Sequence, residues 1–127
     1  MTNEEKELLI KDLCSRLPYG IIIYRITDNS IHRFQYSDIA ENIDQFSHFL
    51  EYSGIDNIKP YLRPISSMTE EEKKEFTKVL VKSQDCSYEN NESSTTIVND
   101  WYLSKGFDVR GLIPKGLSLE AKEDMYK

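Results

Sequence analysis

The chain has 127 residues, of which 39% are apolar and 30% charged, with two cysteines and a net charge of −6. This length fits one hydrophobic core and falls short of two, and one Trp, eight Tyr and five Phe are enough to build it, which argues against disorder throughout. The acidic balance argues against binding a phosphate backbone, because Lys59, Arg63, Lys105, Arg110 and Lys115 are scattered instead of forming a run.

Residues 3 to 17 read as an amphipathic helix. Leu9, Ile10, Leu13, Cys14 and Leu17 recur at helical spacing, while Glu4, Glu5, Glu7 and Lys11 face away. Thr2 or Asn3 caps it, the glutamates complement the positive end of its dipole, and Pro18 ends it. Cys14 on the apolar face is then a buried, inert thiol. Ile21 to Thr27, IIIYRIT, is a β-branched strand bounded by Gly20 and the turn Asp28-Asn29-Ser30; residues 31 to 36 alternate as a second strand, antiparallel to it. Gln45 to Tyr52 carries Phe46, Phe49, Leu50 and Tyr52 and reads as a third strand, with a short helix as the alternative because the alternation is imperfect. Residues 54 to 64, GIDNIKPYLRP, hold two prolines four residues apart and read as a turn of helix or an extended connector.

Thr69 with Glu72 spells a capping box, and Glu70 and Glu71 sit at the same helix end; that helix is expected to reach about Ser83 with Phe76, Val79 and Leu80 as its stripe. Residues 84 to 94 are polar, include Cys86 and the run NNESS, and read as a mobile linker. Thr95 to Lys105 forms a last helix, with Ile97, Val98, Trp101 and Tyr102 on one face and Gly106 as its C-cap. Phe107 to Leu119 reads as two extended pieces joined at Pro114-Lys115-Gly116, and Glu120 to Lys127 as a polar tail. The expected fold is a single α+β domain over 1–127, a scaffold of 1–83, the linker and a C-terminal unit of 95–127. A small antiparallel sheet of about three strands packs with the N-terminal helix, the middle helix and the C-terminal helix-turn unit. Two free thiols, no signal peptide and no apolar run of membrane-spanning length point to a cytoplasmic protein.

Three motifs occur in order: Leu17-Pro18-Tyr19-Gly20, then Ile58-Lys59-Pro60-Tyr61-Leu62-Arg63-Pro64 leading into Ser66-Ser67-Met68-Thr69-Glu70-Glu71, then Phe107-Asp108-Val109-Arg110-Gly111-Leu112-Ile113-Pro114. Together they resemble a family of small proteins of anaerobic gut bacteria and of their phages and prophages. The resemblance implies a mobile-element or accessory context, and it brings no assigned activity or catalytic residues.

No catalytic, metal or cofactor site is expected. There is no GxSxG, GxGxxG or Walker pattern, and His32 and His48 fall on separate expected strands without ligand-spaced neighbours. The stretch from Asp100 to Leu119 holds the single tryptophan and three of the five glycines. Within it, the Arg110 guanidinium beside Trp101, Asp100 and Asp108 can bind a carboxylate, a phosphate or a peptide terminus. It can equally tie the C-terminal turn to the last helix by pairing with Asp108 or Asp100. Tyr61 and Arg63 belong to residue types that anchor interfaces, yet Tyr61 and Leu62 can also plug a core. The resulting reading is a non-enzymatic interaction protein that docks a protein partner through Tyr61, Arg63, Trp101 and Arg110, with no membrane and no nucleic acid. The alternative is a hydrolase or transferase in which Asp100 and Asp108 supply acid and base around Arg110.

Overall fold

The computed structural model describes residues 1–35, 39–90, 94–122 and 125–126, with the side chains of residues 39 and 83–96 excepted. Among these residues the protein is α+β, with four α-helices and one four-stranded mixed sheet. Helix α1 (Asn3–Arg16) starts at Thr2, one of the two expected caps, whose side chain accepts from the Glu5 N–H while the Glu5 side chain accepts from the Thr2 N–H, a full capping box. Strands β1 (Ile21–Arg25) and β2 (Ser30–Phe34) form the expected antiparallel hairpin, turning through Asn29 in the left-handed region at φ 56. The expected end of the second strand at Tyr36 lies outside the described residues.

The third strand is not where the aromatic run suggested. Residues 39 to 53 are helix α2 (Ile39–Ser53), because Ile43, Phe46, Ser47 and Leu50 repeat at three and four residues, which is the period of a helix face. The strand is instead β3 (Ile58–Leu62), the segment expected to be a connector. It pairs antiparallel with β1, Ile23 opposite Pro60, and on its other side parallel with β4 (Leu119–Glu120) through Tyr61 and Leu62 only. Pro60 sits in the middle of the strand but before the residues that pair with β4, and Pro64 lies beyond the strand end, so the prolines that argued against regular structure do not break it. The sheet order is β2-β1-β3-β4.

Alternation along β1 builds two cores. Ile21 and Ile23 join Ile58 and Leu62 beneath α1, α2 and the 112–117 turn, with Leu9, Leu13, Phe34, Phe46, Leu112 and Leu117 buried around them. Ile22 faces the other way, toward Tyr61 and Met125. The C-terminal residues expected as a free polar tail cover this second face. Ala121 donates its N–H to the Leu62 carbonyl at 2.7 Å, and the Tyr126 hydroxyl donates to the Tyr61 carbonyl. Burial pushes the Tyr126 hydroxyl pKa up to about 12.

Helix α3 (Glu70–Asn90) continues past the expected end near Ser83, so part of the polar stretch read as a linker is helical; Asn91 to Ser93 and the Cys86 side chain lie outside the described residues. Helix α4 (Ser94–Ser104) packs on α3 through Phe76, which contacts Trp101 and Tyr102, both at ring separations of 5.2 Å. Gly106 ends this unit at φ 80, where a Cβ would come within 2.7 Å of the Tyr126 ring, so backbone geometry and space both require glycine. No described helix is long and apolar enough to cross a membrane.

Candidate functional site

The six residues singled out from the sequence do not converge on one place. Tyr61 is buried on β3 in the second core, its ring edge-on to Tyr24, so of its two readings the core one describes its position. Arg63, next along the chain, sends a two-pronged bond to Glu72, Nη2 to Oε1 at 2.6 Å and Nη1 to Oε2 at 2.8 Å. Its guanidinium also lies 4.3 Å from the centre of the Phe107 ring. Trp101 stacks on the same ring at 5.9 Å and donates Nε1–H to Glu75 at 3.0 Å. Arg63 and Trp101 are thus brought together, with Phe107 between them.

Glu72 closes the capping box that the sequence announced. Its Oε1 accepts from the Thr69 N–H at 3.0 Å, and its own N–H bonds Thr69 Oγ1 at 3.2 Å. The Arg63 hydrogen bond, first among the causes, holds the Glu72 carboxyl down at about 2 against an ordinary 4.5. A carboxyl with a depressed folded-state pKa stabilises above its unfolded value and loses that contribution as pH falls toward the folded one. Urea unfolding should therefore weaken by on the order of 3 kcal/mol between pH 4.5 and 2 through this group, and Glu72→Gln should flatten that part of the profile.

The other three residues do not form the expected constellation. Both oxygens of Asp108 are occupied by backbone amides, those of Leu112 at 2.9 Å and Ile113 at 3.0 Å, which fixes the turn that delivers Leu112 to the core. Asp100 is exposed beside Tyr19, whose hydroxyl pKa is raised by burial and by this carboxylate. Arg110 pairs with neither of them. Its Nη1 reaches Asp12 Oδ1 at 2.8 Å and Ser15 Oγ at 3.2 Å, tying the C-terminal turn to the first helix instead of the last.

Asp12 is the centre of a cluster the sequence reading missed. It is fully buried and also accepts from Arg16, Nε to Oδ2 at 2.7 Å and Nη2 to Oδ1 at 3.0 Å, and Arg16 is itself 1% exposed. Leu9, Asp12, Leu13 and Arg16 form the inward stripe of α1, so the helix is rotated away from the face drawn through its apolar residues alone. The signal was the Asp12, Arg16 spacing of four on the same stripe as Leu9 and Leu13. The same rotation exposes Cys14, which was expected to be buried, and leaves Ile10 40% exposed.

Two concavities among the described residues bear on function. A polar cleft of about 570 Å³ lies among Arg63, Ser67, Thr69, Lys105, Glu120 and Lys122. Its cations are largely matched, Arg63 by Glu72 and Lys105 by Glu75 at 3.3 Å. An apolar groove of about 410 Å³ lies between α1 and α2, lined by Cys14, Leu17, Pro18, Ile43, Phe46, Ser47 and Leu50. Buried Asn42 fixes its walls by donating Nδ2–H to the Leu17 carbonyl at 3.0 Å. His48, read as a strand residue, is on α2 and exposed, 3.5 Å from Asp44. His32 is on β2 as expected, against Phe49 at 4.6 Å, with its pKa lowered by burial. Among the described residues no group of three or more His, Cys, Asp or Glu is placed to hold a metal ion.

No family model, curated protein or solved structure matches the chain.

Proposed function

We propose that the protein is a non-enzymatic interaction module that receives a partner segment in the apolar groove between α1 and α2. The observation that carries this reading is the groove itself: Ile43 is 49% exposed and Cys14 is open to solvent, beside a floor of Leu17, Phe46 and Leu50. Large apolar side chains held in a concave surface mark docking sites. The side chains first suggested as an interaction surface are engaged within the fold instead, Arg63, Trp101 and Arg110 with Glu72, Glu75, Phe107 and Asp12, and Tyr61 in the second core. The catalytic alternative needs Asp100 and Asp108 available to one substrate, whereas both oxygens of Asp108 are taken by backbone amides. The motif resemblance adds a mobile-element setting to the reading.

The test is a photo-crosslinking amino acid at Ile43, with a second at Lys78 on α3 as control, in a bacterium carrying such an element. A discrete adduct from position 43 alone, lost when Leu50 is replaced by Asp in the same chain, is the expected result. Equal adducts from both positions, or none from position 43, overturn the reading.

A further inference from the structure

We infer that the segment received by the groove is a cationic amphipathic helix of a partner protein; this rests on the groove being the docking site. The α2 wall presents Ile43, Phe46, Ser47 and Leu50, which are positions i, i+3, i+4 and i+7 of one helix face. Seven residues at the α-helical rise span about 10 Å, two turns, which suits a helix laid alongside with apolar anchors at the same spacing.

Charge selects among such helices. The α2 sequence, IAENIDQFSHFLEYS, contains no Lys or Arg, and its Glu41, Asp44 and Glu51 are all exposed. Asp44 follows Ile43 and Glu51 follows Leu50, so the two carboxylates share one rotational position two turns apart and form an anionic rim along the groove. His48, near Asp44, is the one side chain of α2 able to carry positive charge. On α1 the exposed charges closest in helical position to Cys14 are Glu7 and Lys11, which cancel. A Lys- or Arg-bearing helix meets opposite charge on this rim and apolar surface on the floor. A second copy of this chain would bring the same rim and a net charge of −6 against itself, and an anionic membrane surface would be repelled in the same way.

The test uses the full chain and three fluorescein-labelled 14-residue peptides, read by anisotropy. All three carry Leu at i, i+3, i+4, i+7 and onward; the remaining positions are Lys in the first, Gln in the second and Glu in the third, all good helix formers. The Lys peptide should bind at least tenfold more tightly than the Gln peptide at low salt and the Glu peptide most weakly, with the gap narrowing at high salt. Asp44→Lys with Glu51→Lys should reverse the order, and Ile43→Asp should weaken the Lys peptide at least fivefold, each variant keeping the wild-type circular dichroism. Equal binding of the Lys and Gln peptides leaves the groove reading standing and overturns the charge inference. No binding by any peptide overturns both. Lys-peptide binding that ignores Ile43→Asp overturns the inference as non-specific attraction. A concentration-dependent dimer in sedimentation velocity, abolished by Ile43→Asp, assigns the groove to a second copy and overturns it as well.

Discussion

Asp12→Asn is expected to lower the free energy of unfolding by about 3–5 kcal/mol, the cost of removing one partner from a buried ion pair. Against the roughly 5–15 kcal/mol that a domain holds in total, that is a large share of its stability. The change is close to isosteric, so the loss comes from charge. Arg16 is 1% exposed with Nε and Nη2 both on Asp12, and its Nη1 already lacks a hydrogen-bond partner among the described residues. Neutralising Asp12 leaves that guanidinium buried without a counter-charge and releases Arg110 from the first helix. Arg110→Ala should cost less, about 1 kcal/mol, because the Arg110 side chain is 23% exposed and the Asp12–Arg16 pair survives its loss. Urea midpoints for the two variants decide the matter; equal, small shifts would mean that the cluster contributes little. Replacing all three residues with apolar ones of similar size should recover most of the loss, since desolvation of the charges is what the ion pairs offset.

That cluster also marks how far the sequence can be read. Local signals carried well: Thr69 caps α3 as expected, Thr2, one of two expected caps, caps α1, Gly106 ends α4, and the β1–β2 hairpin turns at Asp28-Asn29. Each depends on residues within four positions of one another, so sequence spacing is spatial spacing. The errors share a different cause. Cys14 is expected inside, and Asp12 goes unread, because polarity serves as the guide to burial; one of the partners of Asp12, Arg110, is almost a hundred residues away in sequence. IKPYL reads as part of a connector because Pro60 and Pro64 lie four residues apart, and its strand partners β1 and β4, far from it in sequence, cannot be seen locally. The groove was half legible: Ile43, Phe46 and Leu50 carried a helical period, but its other wall, Leu17 and Pro18, is assigned only by tertiary packing. For the six site residues, what each side chain binds is set by the fold and not by its neighbours in sequence.

Phe107→Ala is expected to cost about 3–5 kcal/mol, the range for deleting a fully buried aromatic side chain, and to affect one part of the molecule first. Phe107 is fully buried and takes the Arg63 guanidinium at 4.3 Å, Trp101 at 5.9 Å and Tyr102 at 5.8 Å. Phe76 holds α3 to α4 from within the pair, whereas Phe107 joins that pair to the end of β3, where the Arg63 N–H donates to the Gly106 carbonyl and the Asp108 N–H to the Arg63 carbonyl, both at 2.8 Å. Removing the ring leaves the helix pair internally bonded and loosens its attachment to the sheet. Trp101 is the only tryptophan, so its emission follows that attachment without interference. In the variant, emission should shift to the red at lower urea than the loss of amide protection in β1, because Ile21, Ile22 and Ile23 lie in cores the ring does not touch. Coincident transitions would make the helix pair and the sheet one cooperative unit, with Phe107 acting through global stability alone. Separated transitions would mean that the α3–α4 pair detaches while β1 and the cores around it stay folded.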